Sequence, residues 1–263
     1  MPKNHTMKSI LQFSVISCLL FSSCKKETVI STVGKTTLSL NNSVGAEGFA
    51  LNKNFSIGGK TYNFTAFRYW VSNVVLINAS GKEFKVPHSY YLVEQTNKQV
   101  VQQGDFVYPA TSRTSIELEG VPEGDYKKII FSVGVDSMHN NNLSLQDGEL
   151  QQLNAMTNIT WMWHTSYIFT TLEGTVSDGA TSKALMVQTG LNENYVSLTF
   201  DLPGTVKVGG AAAADIKLAV DVSKVLDGVD VYTNPEVTAN TPAFMTTVAE
   251  NYKSKVFSVQ TSK

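Results

Sequence analysis

The sequence predicts an all-β fold, an antiparallel β-sandwich with a short C-terminal helix. Most apolar residues recur at every second position over short segments, which is the period of a strand with one buried face. Turn signals rich in glycine, proline and asparagine separate these segments. Many short strands without alternating helices are typical of a sandwich rather than of an α/β sheet.

The first half of the chain is predicted to consist of strands joined by turns. Gly58 and Gly59 separate two alternating segments and indicate a β-hairpin. Residues 67–76, which follow this hairpin, continue as a long predicted strand. The predicted strands of this half are residues 37–40, 55–57, 62–67, 67–76, 90–93, 115–118 and 128–133.

The second half continues with strands and adds the two segments that have helical features. Its predicted strands are residues 184–188, 195–200 and 216–222. Ser223 is expected to cap a single helical turn that stops at Gly228. A longer helix is expected to run to Tyr252, with Thr241 as its N-cap and Pro242 at its first position.

The N-terminal residues are predicted to be a bacterial lipoprotein signal peptide. Basic residues precede an apolar stretch that is shorter than the roughly 20 residues of a transmembrane helix. Ser22 and Ser23 stand before Cys24, so Cys24 is expected to carry the lipid that attaches the protein to a membrane of the cell envelope. A plain secretory signal peptide is the alternative. The predicted parts are a signal peptide (1–24), a tether (25–35) and one domain (36–258).

Composition and motifs exclude several classes of function. Both cysteines, Cys18 and Cys24, fall in the predicted signal peptide, so the domain is expected to depend on core burial without disulfides. The net charge is −1 with no basic block, which argues against nucleic acid as a partner. The motifs of serine hydrolases, zinc proteases, P-loop proteins and dinucleotide-binding enzymes are absent. We therefore predict that the protein is not an enzyme.

Residues 131–174 contain an unusual group of aromatic and metal-ligating side chains. Trp161 and Trp163 lie in a strand-like run, and His139 lies upstream in an asparagine-rich loop. Buried indole and imidazole nitrogens both require polar partners, so such a cluster is costly to form by chance. The recognisable pieces are Val-Gly-Val-Asp at 133–136, Trp-x-Trp at 161–163, Tyr-Ile-Phe at 167–169 and Leu-Glu-Gly at 172–174.

This pattern resembles the MbnP family, the methanobactin-associated copper-binding proteins, and especially its lipoprotein relatives in Bacteroidetes-type bacteria. The resemblance extends over about residues 36–257. It implies a domain that binds Cu(I) through histidine ligands and through a tryptophan that has been oxidised to kynurenine. It also implies a di-haem peroxidase-like partner enzyme that carries out this oxidation.

The resemblance makes His139 the best candidate ligand, because copper-binding members carry a histidine in this loop; a solvated loop residue is the alternative. Met138 beside it supplies a thioether, which suits Cu(I). In a regular strand Trp161 and Trp163 share one face, which His139 is expected to reach from its loop. His164 falls on the opposite face unless a β-bulge re-aims it.

Copper binding is opposed by one replacement in the pattern. Gln188 stands where copper-binding members carry their second histidine, and its amide is a poor ligand for soft copper. At least one of the two tryptophans is explained equally well as core, and His88 is expected at the surface. Two hypotheses remain: a lipoprotein that binds copper for acquisition or buffering, and a metal-free, lipid-anchored β-sandwich that binds a protein or a ligand.

Overall fold

Strands predominate in the computed structural model, which describes Met1 and residues 32–101, 106–157 and 167–260. The strands are β1 (Thr36–Val44), β2 (Glu47–Gly48), β3 (Asn54–Ile57), β4 (Lys60–Asn78), β5 (Glu83–Lys85), β6 (Tyr90–Thr96), β7 (Gln99–Val101), β8 (Phe106–Tyr108), β9 (Thr111–Arg113), β10 (Ser115–Leu118), β11 (Gly124–Val133), β12 (Ile168–Ser177), β13 (Ser182–Gly190), β14 (Val196–Val208), β15 (Ala214–Asp221), β16 (Glu236–Val237) and β17 (Phe257–Val259). The α-helices among these residues are α1 (Ser137–Asn140) and α2 (Pro242–Asn251).

The strands form two main sheets and a separate ribbon. The smaller sheet has the order β10-β1-β15-β17, with β2 paired to β1. The larger sheet has the path β14-β11-β4-β12-β13-β16, while β7 and β8 form the ribbon. Pairing is mostly antiparallel, which confirms the predicted all-β sandwich. Two pairs, β1 with β15 and β13 with β16, are parallel and were not expected from the sequence.

Strand β4 is the centre of the larger sheet and has neighbours along both edges. A strand residue can pair on two edges only. Because β3, β6 and β5 follow one another along one edge, β12 and β11 must share the other. There β11 ends opposite Val71 and β12 begins its pairing opposite Tyr69. The end of β11 and the start of β12 therefore lie next to each other on β4, at Val71 and Tyr69.

Aromatic side chains join the two sheets across the core. Phe257 on the smaller sheet packs edge-on against Tyr69 and Phe131 of the larger sheet, with ring centroids 5.6 and 5.5 Å apart. Tyr252 lies beside the same group, 6.2 Å from the Phe257 ring. These side chains are buried, so burial of large apolar area between the sheets stabilises the domain.

The buried ion pair between Arg68 on β4 and Glu94 on β6 lies at the centre of a larger group of contacts. Through Arg68 it connects strand β4 to β7 and to the turn at Asn154 and Ala155. The Arg68 and Glu94 side chains are 0% and 4% exposed, with 2.8 Å between Nη2 and Oε2. Arg68 also donates to the side chain of Gln99 and to the main-chain carbonyls of Asn154 and Ala155. The guanidinium thus satisfies carbonyls that the turn leaves free, as a buried charge requires.

The C-terminal helix confirms its predicted start, but its ends differ in detail. Helix α2 begins at Pro242, as predicted, yet the Thr241 side chain makes no cap. Its hydroxyl instead accepts from the Thr238 backbone nitrogen at 3.0 Å and donates to the Thr238 carbonyl. The helix ends at Asn251, one residue before the predicted Tyr252, because a wider turn there leads the chain into β17.

The other predicted helical turn has a different cap from the one expected. It is a 3-10 helix at Val222–Leu226, and Asp221 is its N-cap. The Asp221 carboxylate accepts hydrogen bonds from both the backbone nitrogen and the hydroxyl of Ser223. The expectation that Ser223 is the cap is therefore wrong, because the preceding carboxylate already occupies that position and Ser223 lies inside the turn.

Several predictions concern residues outside the described part of the chain. These are Cys24 and the rest of the predicted signal peptide after Met1, together with most of the tether. The strand-like run before Tyr167, with Trp161, Trp163 and His164, also lies outside it. Among the described residues, no helix is both long enough and apolar enough to cross a membrane.

Candidate functional site around His139

The connection after β11 opens with a glycine and a capped helical turn that place His139. Gly134 has φ +111, and a side chain there would meet the Phe169 ring at 2.6 Å, so the position requires glycine. Asp136 then caps α1, accepting hydrogen bonds from the backbone nitrogens of Met138 and His139 at 3.1 and 3.4 Å. This cap turns the His139 side chain inward, where it is 7% exposed.

The imidazole of His139 contacts a carboxylate and a phenol through one nitrogen. Its Nδ1 lies 2.9 Å from the Tyr90 hydroxyl and 3.2 Å from Asp136 Oδ1. Tyr90 also donates its hydroxyl hydrogen to Asp136 Oδ2. The Tyr90 and His139 rings stand 4.6 Å apart between centroids. Within the described part of the chain Nε2 makes no hydrogen bond, so the contacts seen hold the ring by Nδ1.

Asn73 and Tyr195 extend this network to strand β4 and to the residue before β14. The Asn73 amide donates to Asp136 Oδ2 at 3.1 Å and to the Tyr195 hydroxyl at 2.7 Å. Asn73 has φ +52 in the middle of β4, where the register with β11 shifts. The local irregularity turns its side chain toward Asp136, as bulges near functional sites commonly do.

The network keeps Asp136 ionised and Tyr90 protonated. Burial raises the pKa of Asp136, but hydrogen bonds from Tyr90, Asn73 and His139 outweigh it, so the pKa lies below its ordinary value. Burial and the hydrogen bond to Asp136 raise the pKa of Tyr90. The site therefore contains one fixed negative charge next to a neutral phenol.

Asn140 connects the His139 helix to the start of β12. Its side-chain oxygen accepts a hydrogen bond of 3.0 Å from the backbone nitrogen of Tyr167. Its amide nitrogen donates to Asn192, which in turn donates to Asn141. The chain that follows the Trp-x-Trp motif thus re-enters the described structure directly beside α1.

Two large aromatic side chains lie where the connection returns to the sheet. Trp70 and Tyr167 are fully buried and pack edge-on, with 5.9 Å between ring centroids. Neither Trp70 Nε1 nor the Tyr167 hydroxyl has a hydrogen-bond partner among the residues that the structure describes. A buried polar group without a partner costs free energy, so each such group calls for an explanation, of which a functional role is one.

Three of the five described non-glycine residues with positive φ lie in this network or next to a residue of it. Asn73 and His88 flank the network, and Leu191 precedes the asparagines that hold α1, with φ +66 and ψ 143. Ala155, with φ +59, lies in the turn before residue 158. Such conformations cost about 1–3 kcal/mol each and persist where the surrounding contacts impose them, often at binding sites.

The remaining predicted ligands are separated from His139 or lie outside the described residues. Met138 is 62% exposed whereas His139 is buried, because successive residues on a helix point in different directions. His88 is at the surface, as expected, with Nδ1 2.5 Å from Asp147 Oδ1. Trp161, Trp163 and His164 are not among the described residues.

Gln188, at the position of the second family histidine, is buried on β13. Its amide nitrogen lies 3.4 Å from the Thr171 hydroxyl. It lines a cleft of about 450 Å³ together with Gln99, Thr157 and Ile168. Thr157 directly precedes residues 158–166, and Ile168 lies two residues after them. Within the described residues no group of three or more His, Cys, Asp or Glu side chains could hold a metal ion. The described donor set therefore fits one imidazole ligand for copper and does not complete a site.

Tyr90, Asn73 and Tyr195 were not identified as site residues from the sequence. Tyr90 lies on β6, Asn73 lies on β4, and Tyr195 directly precedes β14. No local sequence pattern links them to His139. Asp136 did carry a signal, since an aspartate before a short polar segment is a typical N-cap. Its spacing to His139 predicts a turn that places the histidine over the carboxylate.

The comparisons with known proteins agree with the fold. The MbnP family model matches residues 33–243. Among solved structures, MbnP from Methylosinus trichosporium is similar with a TM-score of 0.51 and 15% identity, over 76% of this chain and 79% of that chain. At this identity the likeness concerns the fold. No curated protein matches the chain. Because the family model covers well over half of the sequence, the chain belongs to the MbnP family.

Proposed function

We propose that this protein is a lipid-anchored member of the MbnP family in the cell envelope that binds copper without catalysing a reaction. The observation that carries the proposal is the geometry of His139. Its ring is held at Nδ1 by Tyr90 and Asp136, while Nε2 has no partner among the described residues. A histidine held in this way by its second nitrogen is the usual arrangement of a metal ligand.

The position of His139 relative to the Trp-x-Trp motif supports the same proposal. Asn140 binds the backbone of Tyr167, and the chain from Tyr167 back to Trp163 is four residues long, at most about 14 Å. Trp163 and Trp161 are accordingly the further donors that we propose beside His139, and His164 joins them only if a β-bulge re-aims its side chain. Bound copper would supply a soft cation for storage or delivery, for which imidazole is a suitable ligand.

Gln188 leads us to expect weaker copper binding than in the copper-binding members. An amide replaces an imidazole there, and an amide is a poor donor to a soft cation. Met138 is the supplementary ligand predicted from the sequence, and because its side chain is exposed while His139 is buried, it would have to turn toward His139 to share a metal. Copper acquisition or buffering requires only reversible binding, so weaker affinity is compatible with the proposed role.

Copper(I) titration of the purified protein tests this proposal. We expect wild-type protein to bind copper, and His139→Gln to lose more than the roughly 10–100-fold in affinity that removal of an outer partner costs. His88→Gln is the matched control, because His88 also pairs with a carboxylate but is 77% exposed. We expect the control to bind like wild type.

Intact mass measurement shows whether copper binds to a protein with an oxidised tryptophan or to one with unmodified tryptophans. Co-expression with a di-haem peroxidase-like enzyme should add oxygen to the chain and remove carbon if a tryptophan becomes kynurenine. Wild-type protein that binds no copper in either form would contradict the proposal. It would favour a metal-free β-sandwich that binds a protein or a ligand, for which the replacement at Gln188 is the supporting observation.

Lipid attachment at Cys24 is a separate part of the proposal. In cells, Cys24→Ala should move the protein out of the membrane fraction or leave the leader uncut, because no other thiol is available at the cleavage site. Cell fractionation combined with intact mass measures both outcomes. An unchanged membrane fraction and an unchanged mature mass would show that Cys24 carries no lipid. Cys18→Ala is the matched control and should leave both unchanged.

A further inference from the structure

We infer that Tyr90 and Asp136 hold His139 in the tautomer with hydrogen on Nδ1, so that Nε2 carries the lone pair offered to a ligand. Tyr90 and Asp136 are then positioning residues for His139. The consequence for copper rests on the proposed function, whereas the tautomer is a property of the metal-free protein. The inference follows from the directions of the hydrogen bonds around His139.

The Asp136 carboxylate requires a hydrogen on Nδ1. Its Oδ2 accepts from the Tyr90 hydroxyl and from the Asn73 amide, and its Oδ1 accepts from two backbone nitrogens of α1. His139 Nδ1 is the remaining contact, 3.2 Å from Oδ1. An ionised carboxylate accepts hydrogen bonds and cannot donate one. Nδ1 at this distance is therefore stabilised only when it carries the hydrogen.

The Tyr90 hydroxyl leads independently to the same tautomer. A phenol has one hydrogen, and that of Tyr90 is donated to Asp136 Oδ2. The Tyr90 oxygen can then only accept a hydrogen bond from Nδ1, which lies 2.9 Å away. Both neighbours of Nδ1 thus act as acceptors.

The opposite tautomer would place two lone pairs against each other. With hydrogen on Nε2, the Nδ1 lone pair would face Asp136 Oδ1 and would compete with Oδ2 for the single Tyr90 hydrogen. The ring is almost completely buried, so solvent would compensate little of this loss. Asn73 cannot relieve it, because its amide already donates to Asp136 and to Tyr195.

A fixed tautomer has a direct consequence for ligand binding. In an imidazole, the nitrogen that binds a metal is determined by the hydrogen bond made by the other nitrogen. Tyr90 and Asp136 therefore select Nε2 as the donor atom before any ligand arrives. No reorganisation of the ring is then required when a metal binds.

Nitrogen NMR of the metal-free protein labelled with ¹⁵N-histidine tests the inference. Spectra at about pH 8, above the ordinary histidine pKa of about 6.5, distinguish a protonated from an unprotonated ring nitrogen, and His139→Gln assigns the signals. We expect a protonated Nδ1 and an unprotonated Nε2 at His139. In Tyr90→Phe and Asp136→Asn, the ratio of the two tautomers should fall by about tenfold or more, the range of a hydrogen bond to a charged group.

Tyr195→Phe is the matched control, because it removes a hydroxyl from the same network without touching His139. It should leave the His139 signals unchanged, which separates positioning from a general loss of structure. Wild-type protein with hydrogen on Nε2, or Tyr90 and Asp136 variants with an unaltered ratio, would overturn the inference. If the tautomer is as expected and copper(I) still does not bind, the inference stands and the proposed function fails.

Discussion

Replacing Arg68 with methionine should lower the free energy of unfolding by about 3–5 kcal/mol. The substitution leaves the Glu94 carboxylate buried without its cation, and it removes the donors that satisfy the carbonyls of Asn154 and Ala155. A buried charge without a partner cannot recover its lost hydration. Urea-induced unfolding followed by circular dichroism measures this change.

The pair Arg113–Glu149 provides a matched control. It has the same chemistry, with 2.5 Å between the charged atoms, but both side chains are 35% exposed. Water screens such a pair, so Arg113→Met should cost about 1 kcal/mol or less. In the double variant Arg68→Met/Glu94→Leu part of the lost stability should return, since no unpaired charge remains, while the carbonyls of Asn154 and Ala155 still lack their donor. Equal losses for Arg68→Met and Arg113→Met would show that burial of the ion pair has no special effect.

Replacing Gly134 with alanine should cost about 2–4 kcal/mol and disturb the site itself. The backbone there has φ +111, and the added carbon would overlap the Phe169 ring. The residue immediately precedes the segment that forms the Asp136 cap, so relief of the overlap would move the His139 helix. Urea unfolding measures the stability, and the His139 ring signals in NMR report the displacement.

Gly179→Ala separates the two causes of this loss. Gly179 also has a positive φ, +97, but a side chain there meets nothing within 4 Å. It should cost only the strain of the backbone, about 1 kcal/mol. The His139 signals should stay unchanged in this control. A Gly134 variant as stable as the Gly179 variant would show that Phe169 moves aside without cost.

Local sequence patterns predicted most of the regular structure. Alternating or continuous apolar residues located the long strand β4 and the strands β6, β10, β11 and β13, because such short runs are typical of half-buried and fully buried strands. Pro242 located the start of the C-terminal helix for a reason equally local, since its fixed φ suits the first helical turn. The short ribbon β7–β8 was missed, because three-residue strands leave too few positions for a period to appear.

The candidate site could be predicted only in part. The family pattern predicted His139 as a candidate ligand from the sequence alone, and the structure places it in a capped turn with its ring held at Nδ1. The sequence predicted Tyr90 and Asn73 as residues of two different strands and did not predict their contacts with Asp136 and His139. Their roles depend on where β6 and the irregular part of β4 lie relative to α1. Such long-range pairing has no signature within a short window of sequence.

The sequence by itself determined the fold class and the family and pointed to His139 as the candidate ligand, because strand period and motif are local patterns of neighbouring residues. Tertiary structure decided the parallel pairing of β1 with β15, since strand direction depends on a connection that alternation does not encode. It also decided that the chain from β11 to β12 leaves and returns at the same point on β4. That convergence brings Asn140 to Tyr167, and the irregularity at Asn73 brings its amide to Asp136. Both contacts join residues far apart in sequence, so only the folded chain can create them.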